Sequence, residues 1–300
     1  MPSPYTPAAR LAAGDPKIPD GDVAAAAIDR ELADARRYLR GAVWAQLAWS
    51  GRATIGGTAS APSIAVGPIE AVTLCDGDGT TTGTWRPFNY NLTGTATALG
   101  AAAIDGGGSL SPNAHYYVYV YNDGSATPAF EISPTRPTTS GATTIAQAWK
   151  RGQSANYRYL FSFATDGSGN PLPAVLAAGR LTYRASACGG SDVALLHGRA
   201  TTWTAVDLSA LVPPHARVVR LRCSVARAGA DSTAVGLELR TPGDSTAVEV
   251  CIAPNISGVD SRADGMIEVV CPAQSIEYQL GAIVTNSDPY GATIAVVGWE

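Results

Sequence analysis

Residues 217–225 read Arg217-Val218-Val219-Arg220-Leu221-Arg222-Cys223-Ser224-Val225. Val219, Leu221, Cys223 and Val225 occupy every second position, with Arg220 and Arg222 between them. Successive side chains of a strand point to opposite faces, so this alternation predicts a β-strand with one buried and one wet face. The same period returns downstream. Val235, Leu237 and Leu239 alternate with Glu238 and Arg240, and Val248, Val250 and Ile252 surround Glu249. Ile267, Val269 and Cys271 surround Glu268, and Ile276, Tyr278 and Leu280 alternate with Glu277 and Gln279. Roughly six or seven such strands, with turn signals about every 8–14 residues, predict an antiparallel β-sandwich over 190–300.

Upstream the punctuation is similar. Candidate strands over 63–66, 69–74, 85–90, 115–121, 127–133, 157–165 and 180–184 are separated by turn clusters such as Asn122-Asp123-Gly124 and Asp166-Gly167-Ser168-Gly169-Asn170. Asn-Asp-Gly between two aromatic-rich runs is a hairpin signal. A short helix is expected over 144–151. With 32 Gly and 20 Pro in 300 residues, the composition favours many tight turns and short strands over long helices.

The first 56 residues differ. Pro2, Pro4, Pro7, Pro16 and Pro19 mark an extended arm. Asp20 or Asp22 can cap a helix whose apolar seam is Ile28, Leu32, Ala35, Leu39 and Ala42, closed by Gly41. The helix packs either on its own chain or on copies of itself, and Ile28, Leu32, Ala35 and Leu39 are the candidate oligomerisation residues. The predicted class is therefore mostly β: an N-terminal arm and short helix followed by two antiparallel β-sandwich-like domains, divided as 1–56, 57–188 and 189–300.

Charge excludes some partners. The formal net charge is −4, and only 15% of residues are charged. Between 57 and 148 the acids Glu70, Asp76, Asp78, Asp105, Asp123 and Glu131 face only Arg86 and Arg136. Such a surface repels phosphate backbones, so no nucleic-acid partner is expected. No apolar run approaches the ~20 residues a bilayer needs, so no membrane span is expected either. The first residues lack a basic segment followed by an apolar core, so no secretory signal is read. Cys75, Cys188, Cys223, Cys251 and Cys271 include no Cys-x-x-Cys pair and read as small buried hydrophobes.

Two stretches carry a resemblance. The first is 111–121, Ser111-Pro112-Asn113-Ala114-His115-Tyr116-Tyr117-Val118-Tyr119-Val120-Tyr121, followed by 157–173 with its Thr165-Asp166-Gly167-Ser168-Gly169-Asn170 turn. It resembles a β-domain of tailed-bacteriophage fibre and other virion proteins. The second, Trp203-Thr204-Ala205-Val206-Asp207-Leu208 leading into the 217–225 strand, with Gly298-Trp299-Glu300 at the end, is similar to the C-terminal sandwich of phage tail fibres. The resemblance covers about residues 60–300. It implies a structural fibre component of a phage or phage-like particle, located in the virion and made in the host cytoplasm. It also implies a homo-oligomer, a trimer first, mediating attachment to a host surface and needing no cofactor. Other virion proteins would be met through 1–56. The alternatives are a capsid-attached decoration or head-fibre protein and a standalone carbohydrate-binding module.

No catalytic residue is assigned. His115 opens an aromatic strand, His197 lies in Leu195-Leu196-His197-Gly198 and His215 follows Pro213-Pro214; none adjoins a Gly-x-Ser-x-Gly elbow. No metal site is assigned. Asp76-Gly77-Asp78-Gly79 begins like a calcium loop, but the twelfth position is Pro87. Tyr117, Tyr119 and Tyr121 share one strand face and read as core rather than as a sugar platform. For a host-surface glycan, the candidate ligand-binding residues are the loop-borne Trp85, Tyr90, Asn286 and Tyr290.

Overall fold

The computed structural model describes residues 48–49, 51–75, 85–90, 97–121, 128–138, 149–150, 157–184, 190–285 and 289–300. The arm and the helix seam Ile28, Leu32, Ala35 and Leu39 lie outside the described residues. The rest is mostly β, in several antiparallel sheets, and Leu47–Glu300 forms one compact unit.

The first strands are β1 (Ala48–Trp49), β2 (Ala53–Gly57), β3 (Pro62–Val66), β4 (Ile69–Cys75), β5 (Trp85–Tyr90) and β6 (Thr97–Leu99). A four-residue turn joins β2 to β3 through reciprocal backbone bonds of Thr58 and Ala61. Gly57 opens it at φ 93°, where a Cβ would lie 2.5 Å from the Ala61 carbonyl, so only glycine fits.

There follow β7 (His115–Tyr121), β8 (Ala129–Ser133), β9 (Pro137–Thr138), β10 (Trp149–Lys150), β11 (Tyr157–Ala164), β12 (Ala174–Ala177) and β13 (Arg180–Tyr183). Trp149 and Lys150 pair with β9 as a strand, in place of the end of the helix expected over 144–151. β7 and β11 form a ladder in which Tyr119 faces Tyr159 and Tyr121 faces Tyr157. Both faces of β7 are covered. Tyr116, Val118 and Val120 enter the main core, while Tyr117, Tyr119 and Tyr159 form a second buried cluster.

The Asp166–Asn170 turn is a clasp. Asp166 Oδ1 accepts the amides of Ser168 (2.8 Å) and Asn170 (2.9 Å), and Asn170 Oδ1 accepts the amide of Ala59 (3.0 Å). Burial opposes ionisation of Asp166, but the bonds from Asn170, Ser168 and Gly169 outweigh it and hold the carboxyl below its usual range. The motif that carries the resemblance therefore ties the β2–β3 turn to the end of β11.

The last eight strands are β14 (Val193–Gly198), β15 (Thr204–Asp207), β16 (Val218–Arg227), β17 (Val235–Arg240), β18 (Val248–Ala253), β19 (Ser261–Val270), β20 (Ser275–Leu280) and β21 (Gly291–Trp299). They pair as β14-β21-β16-β19 in one sheet and β15-β20-β17-β18 in the other. Counted within the sandwich, the orders are first-eighth-third-sixth and second-seventh-fourth-fifth, the strand order of a jelly roll. Val219, Leu221, Cys223, Val225, Ile294 and Val296 face Leu237, Leu239, Ile276, Tyr278 and Leu280 in one core.

The sheet does not stop there. Beyond its pairing with β14, β21 lays Gly298 and Trp299 against Thr182 and Leu181 of β13. From β13 it continues through β12, β2, β3 and β6. The division drawn at 188/189 is thus crossed by one continuous sheet.

Candidate functional site: the loop end of the jelly roll

The two ends of the jelly roll have different surroundings. At one end, the β15–β16 connection (208–217) packs on the middle strands. His115 Nε2 donates to the Ser209 carbonyl (2.7 Å), and the Tyr183 hydroxyl donates to the Leu211 carbonyl (2.5 Å). His215 lies there too, its Nε2 3.0 Å from the Tyr159 hydroxyl and 3.5 Å from Ser162 Oγ, its ring edge-on to Trp299 at 5.7 Å. Burial, reinforced by the nearby His115 and Arg136 charges, lowers the His215 pKa to about 4. A neutral imidazole beside a serine suggests nucleophile chemistry, but Ser162 is fully buried. This group acts as packing between the jelly roll and the tyrosine ladder.

The opposite end gathers the loops 199–203, 228–234 and 254–260 with the described residues 281–285 and 289–290. Register places them together: Arg227 at the end of β16 faces Ser261 at the start of β19, and Ala226 faces Gly291 at the start of β21. A buried polar network braces three of them. Arg227 is fully buried and donates from Nη1 to the Pro254 carbonyl (3.0 Å) and Asn255 Oδ1 (3.0 Å), and from Nη2 to the Asp231 carbonyl. Asp231 accepts the amides of Ala228 (3.2 Å) and Thr285 (3.1 Å), and the Thr285 hydroxyl. Burial raises the Asp231 pKa, but the hydrogen bonds from Thr285 and Ala228 and the Arg227 charge outweigh it, so the carboxylate stays ionised below its usual range.

Asp260 extends the brace, accepting the Gly229 amide (2.8 Å) and the Tyr290 hydroxyl (2.7 Å). The Tyr290 bond, then that of Gly229, depresses the Asp260 pKa, and the same carboxylate raises that of Tyr290. Tyr290 thus stands at the loop end with a committed hydroxyl and a half-buried ring that packs on the core. Asn286 belongs to the same loop but lies outside the described residues. Trp85 and Tyr90 begin and end β5, in the separate three-stranded sheet β1-β4-β5, and their side chains lie outside the described set. Arg227, Asp231 and Asp260 were not singled out from the sequence. One signal was available: Arg227 continues the inward series Val219, Leu221, Cys223, Val225, and a charge at core parity needs a buried partner.

Cys223, Cys251 and Cys271 are buried free thiols. Burial pushes the Cys223 thiol up to about 12. Among the described residues no cluster of His, Cys, Asp and Glu could hold a metal ion, and no helix is long and apolar enough to cross a membrane. Scanned against protein-family models the sequence finds no match, and a search of curated proteins finds no significant relative.

Proposed function

We propose that this chain is a structural, non-catalytic fibre component of a virus-like particle, built as a homo-oligomer that touches the host surface with the loop end of its jelly roll. The observation that carries this reading is the polarity of the sandwich. One end is docked on the middle strands through His115, Tyr183 and His215, whereas the end bearing Tyr290 makes its contacts among its own loops. A rigid sandwich that presents braced loops is suited to recognition, since loops held by a scaffold lose little entropy on binding. The resemblance of 111–121, 157–173 and 203–225 to fibre domains points the same way.

Self-association has its own support. Val248, Ile252, Ile256, Val259, Met266 and Val270 are large apolar side chains left exposed on β18, β19 and the loop between them. Those two strands end their respective sheets. Apolar side chains concentrated at open sheet edges mark a surface that another chain covers.

Light scattering on the full chain should give a discrete oligomer, a trimer first. The double substitution Ile252→Asp with Met266→Asp should convert it to smaller species while the circular dichroism stays β-rich, because each buried apolar side chain contributes about 1.5–3 kcal/mol. A wild-type chain that is monomeric at micromolar concentration contradicts the oligomeric reading.

A further inference from the structure

The outer face of the sheet β14-β21-β16-β19 holds a basin of about 280 Å³ lined by Val193, Arg222, Cys223, Ser224, Arg262, Asp264, Thr293 and Ala295. Its shape follows from register. Ser224 lies between Thr293 and Asp264, and Arg222 lies between Ala295 and Met266. All of these side chains point away from the core, opposite to Cys223 and Ile294. Short side chains fall in the middle and long ones around them, so Ser224, Thr293 and Ala295 form a floor and Arg222 and Arg262 form a rim. The volume is near the lower end of small-molecule pockets, ~300–1,000 Å³.

The charges are matched in pairs. Arg262 donates to Asp264 Oδ1 from Nη2 (2.9 Å) and Nε (3.2 Å). Arg222 lies 3.8 Å from Asp192 Oδ2, an attraction at longer than hydrogen-bond range. Asp192 is 2% exposed, and its Oδ2 has no hydrogen-bond partner. The lining itself holds two cations and one anion, and the buried Asp192 carboxylate behind Arg222 offsets the second cation, which leaves little net charge to draw phosphate. The rim offers guanidinium donors beside a carboxylate acceptor, the floor offers two hydroxyls, and Val193 and Ala295 offer apolar contact. Adjacent donors and acceptors with an apolar patch match a vicinal diol and the C–H face of a sugar ring. The basin's lining contains no aromatic wall, so a flat base would have nothing to stack on.

We propose that this basin binds a neutral saccharide, with Asp264 accepting and Arg222 donating hydrogen bonds to neighbouring hydroxyls. The proposal goes beyond the host contact assigned to the loop end and rests on that reading only for the source of the sugar. The site lies on the sheet face rather than at the loop end, and Tyr290 does not line it.

Saturation-transfer NMR and titration calorimetry on the full chain test it, with glucose, galactose, rhamnose and N-acetylglucosamine as probes and glucuronate and inorganic phosphate as controls. At least one neutral sugar should bind saturably. Asp264→Asn and Ser224→Leu should each weaken it on the order of 10-fold or more, as expected for a lost charge-assisted bond or a filled floor. Thr293→Val, which keeps the shape of the side chain, should weaken it less and serves if Ser224→Leu does not fold. Saturable binding of none of the four sugars, unchanged binding in Asp264→Asn and Thr293→Val, or preference for glucuronate or phosphate overturns the proposal. Oligomer mass and particle association are read separately, so a failed fibre reading and a failed sugar site give different results.

Discussion

Arg227 shows how much one side chain can organise. A guanidinium with no exposed surface is tolerable because Pro254, Asn255 and Asp231 give acceptors to Nη1 and Nη2, although Nε has no hydrogen-bond partner. Arg227→Met keeps most of the volume and removes those bonds. It should destabilise the chain by about 3 kcal/mol, seen as a lower urea midpoint, and should loosen loops 228–234 and 254–260 in hydrogen exchange. Unchanged stability would mean that the network is dispensable.

His215 makes a second prediction at this scale. Its pKa is about 4 in the fold against an ordinary 6.5, so between those values the unfolded chain binds a proton that the folded chain does not. Its contribution is full above pH 6.5, falls as the pH drops toward about 4, and is constant below. The loss across the window is roughly 3 kcal/mol at most. His215→Phe should flatten the dependence of the unfolding midpoint between pH 6.5 and 4, leaving what His115 contributes, whose pKa burial also lowers. An identical slope in the variant would contradict this. The charge at core parity made Arg227 legible in principle. The His215 environment was not, because its partners Tyr159, Ser162 and Trp299 are distant in the chain.

Among the elements, legibility followed water. Strands β16, β17 and β20 alternate buried and half-exposed side chains along most of their length, and the sequence period located them. β21 is buried at seven of its nine positions and shows no such period. β14 has no buried residue and no alternation, so it too carried no signal. The expected face assignment of β7 was correct in parity, yet both faces proved to be interior. The charges expected to line the outer face of the sandwich are largely engaged within it. Arg240 Nε donates to Glu277 (2.6 Å), Arg220 to the Thr182 hydroxyl (2.7 Å), and Gln279 to Glu238 (2.5 Å). What alternation did not reveal is that Met266 and Val270, on that same wet face of β19, are left uncovered. The junction of β21 with β13 makes the prediction here. A Cβ at Gly298 would overlap the Leu181 carbonyl. Gly298→Ala should therefore cost about 1–3 kcal/mol and disturb both strands, whereas Gly179→Ala, with open space around it, reports only the strain of its positive φ.

Across the described residues, the jelly roll and the middle strands share a sheet, which holds the sandwich by its base. The alternation of the jelly-roll strands was legible in the sequence. The continuous sheet was not, because strand order between distant segments leaves no local trace in composition or period. The central claim, a fibre of a particle with its loop end outward, is tested most directly by gradient sedimentation of material from the cells that produce the protein. The readout is an antibody against the 228–290 loops. The protein should sediment with intact virus-sized particles and bind the antibody while on them. Protein found only at the top of the gradient, or on particles with the loops masked, contradicts the account.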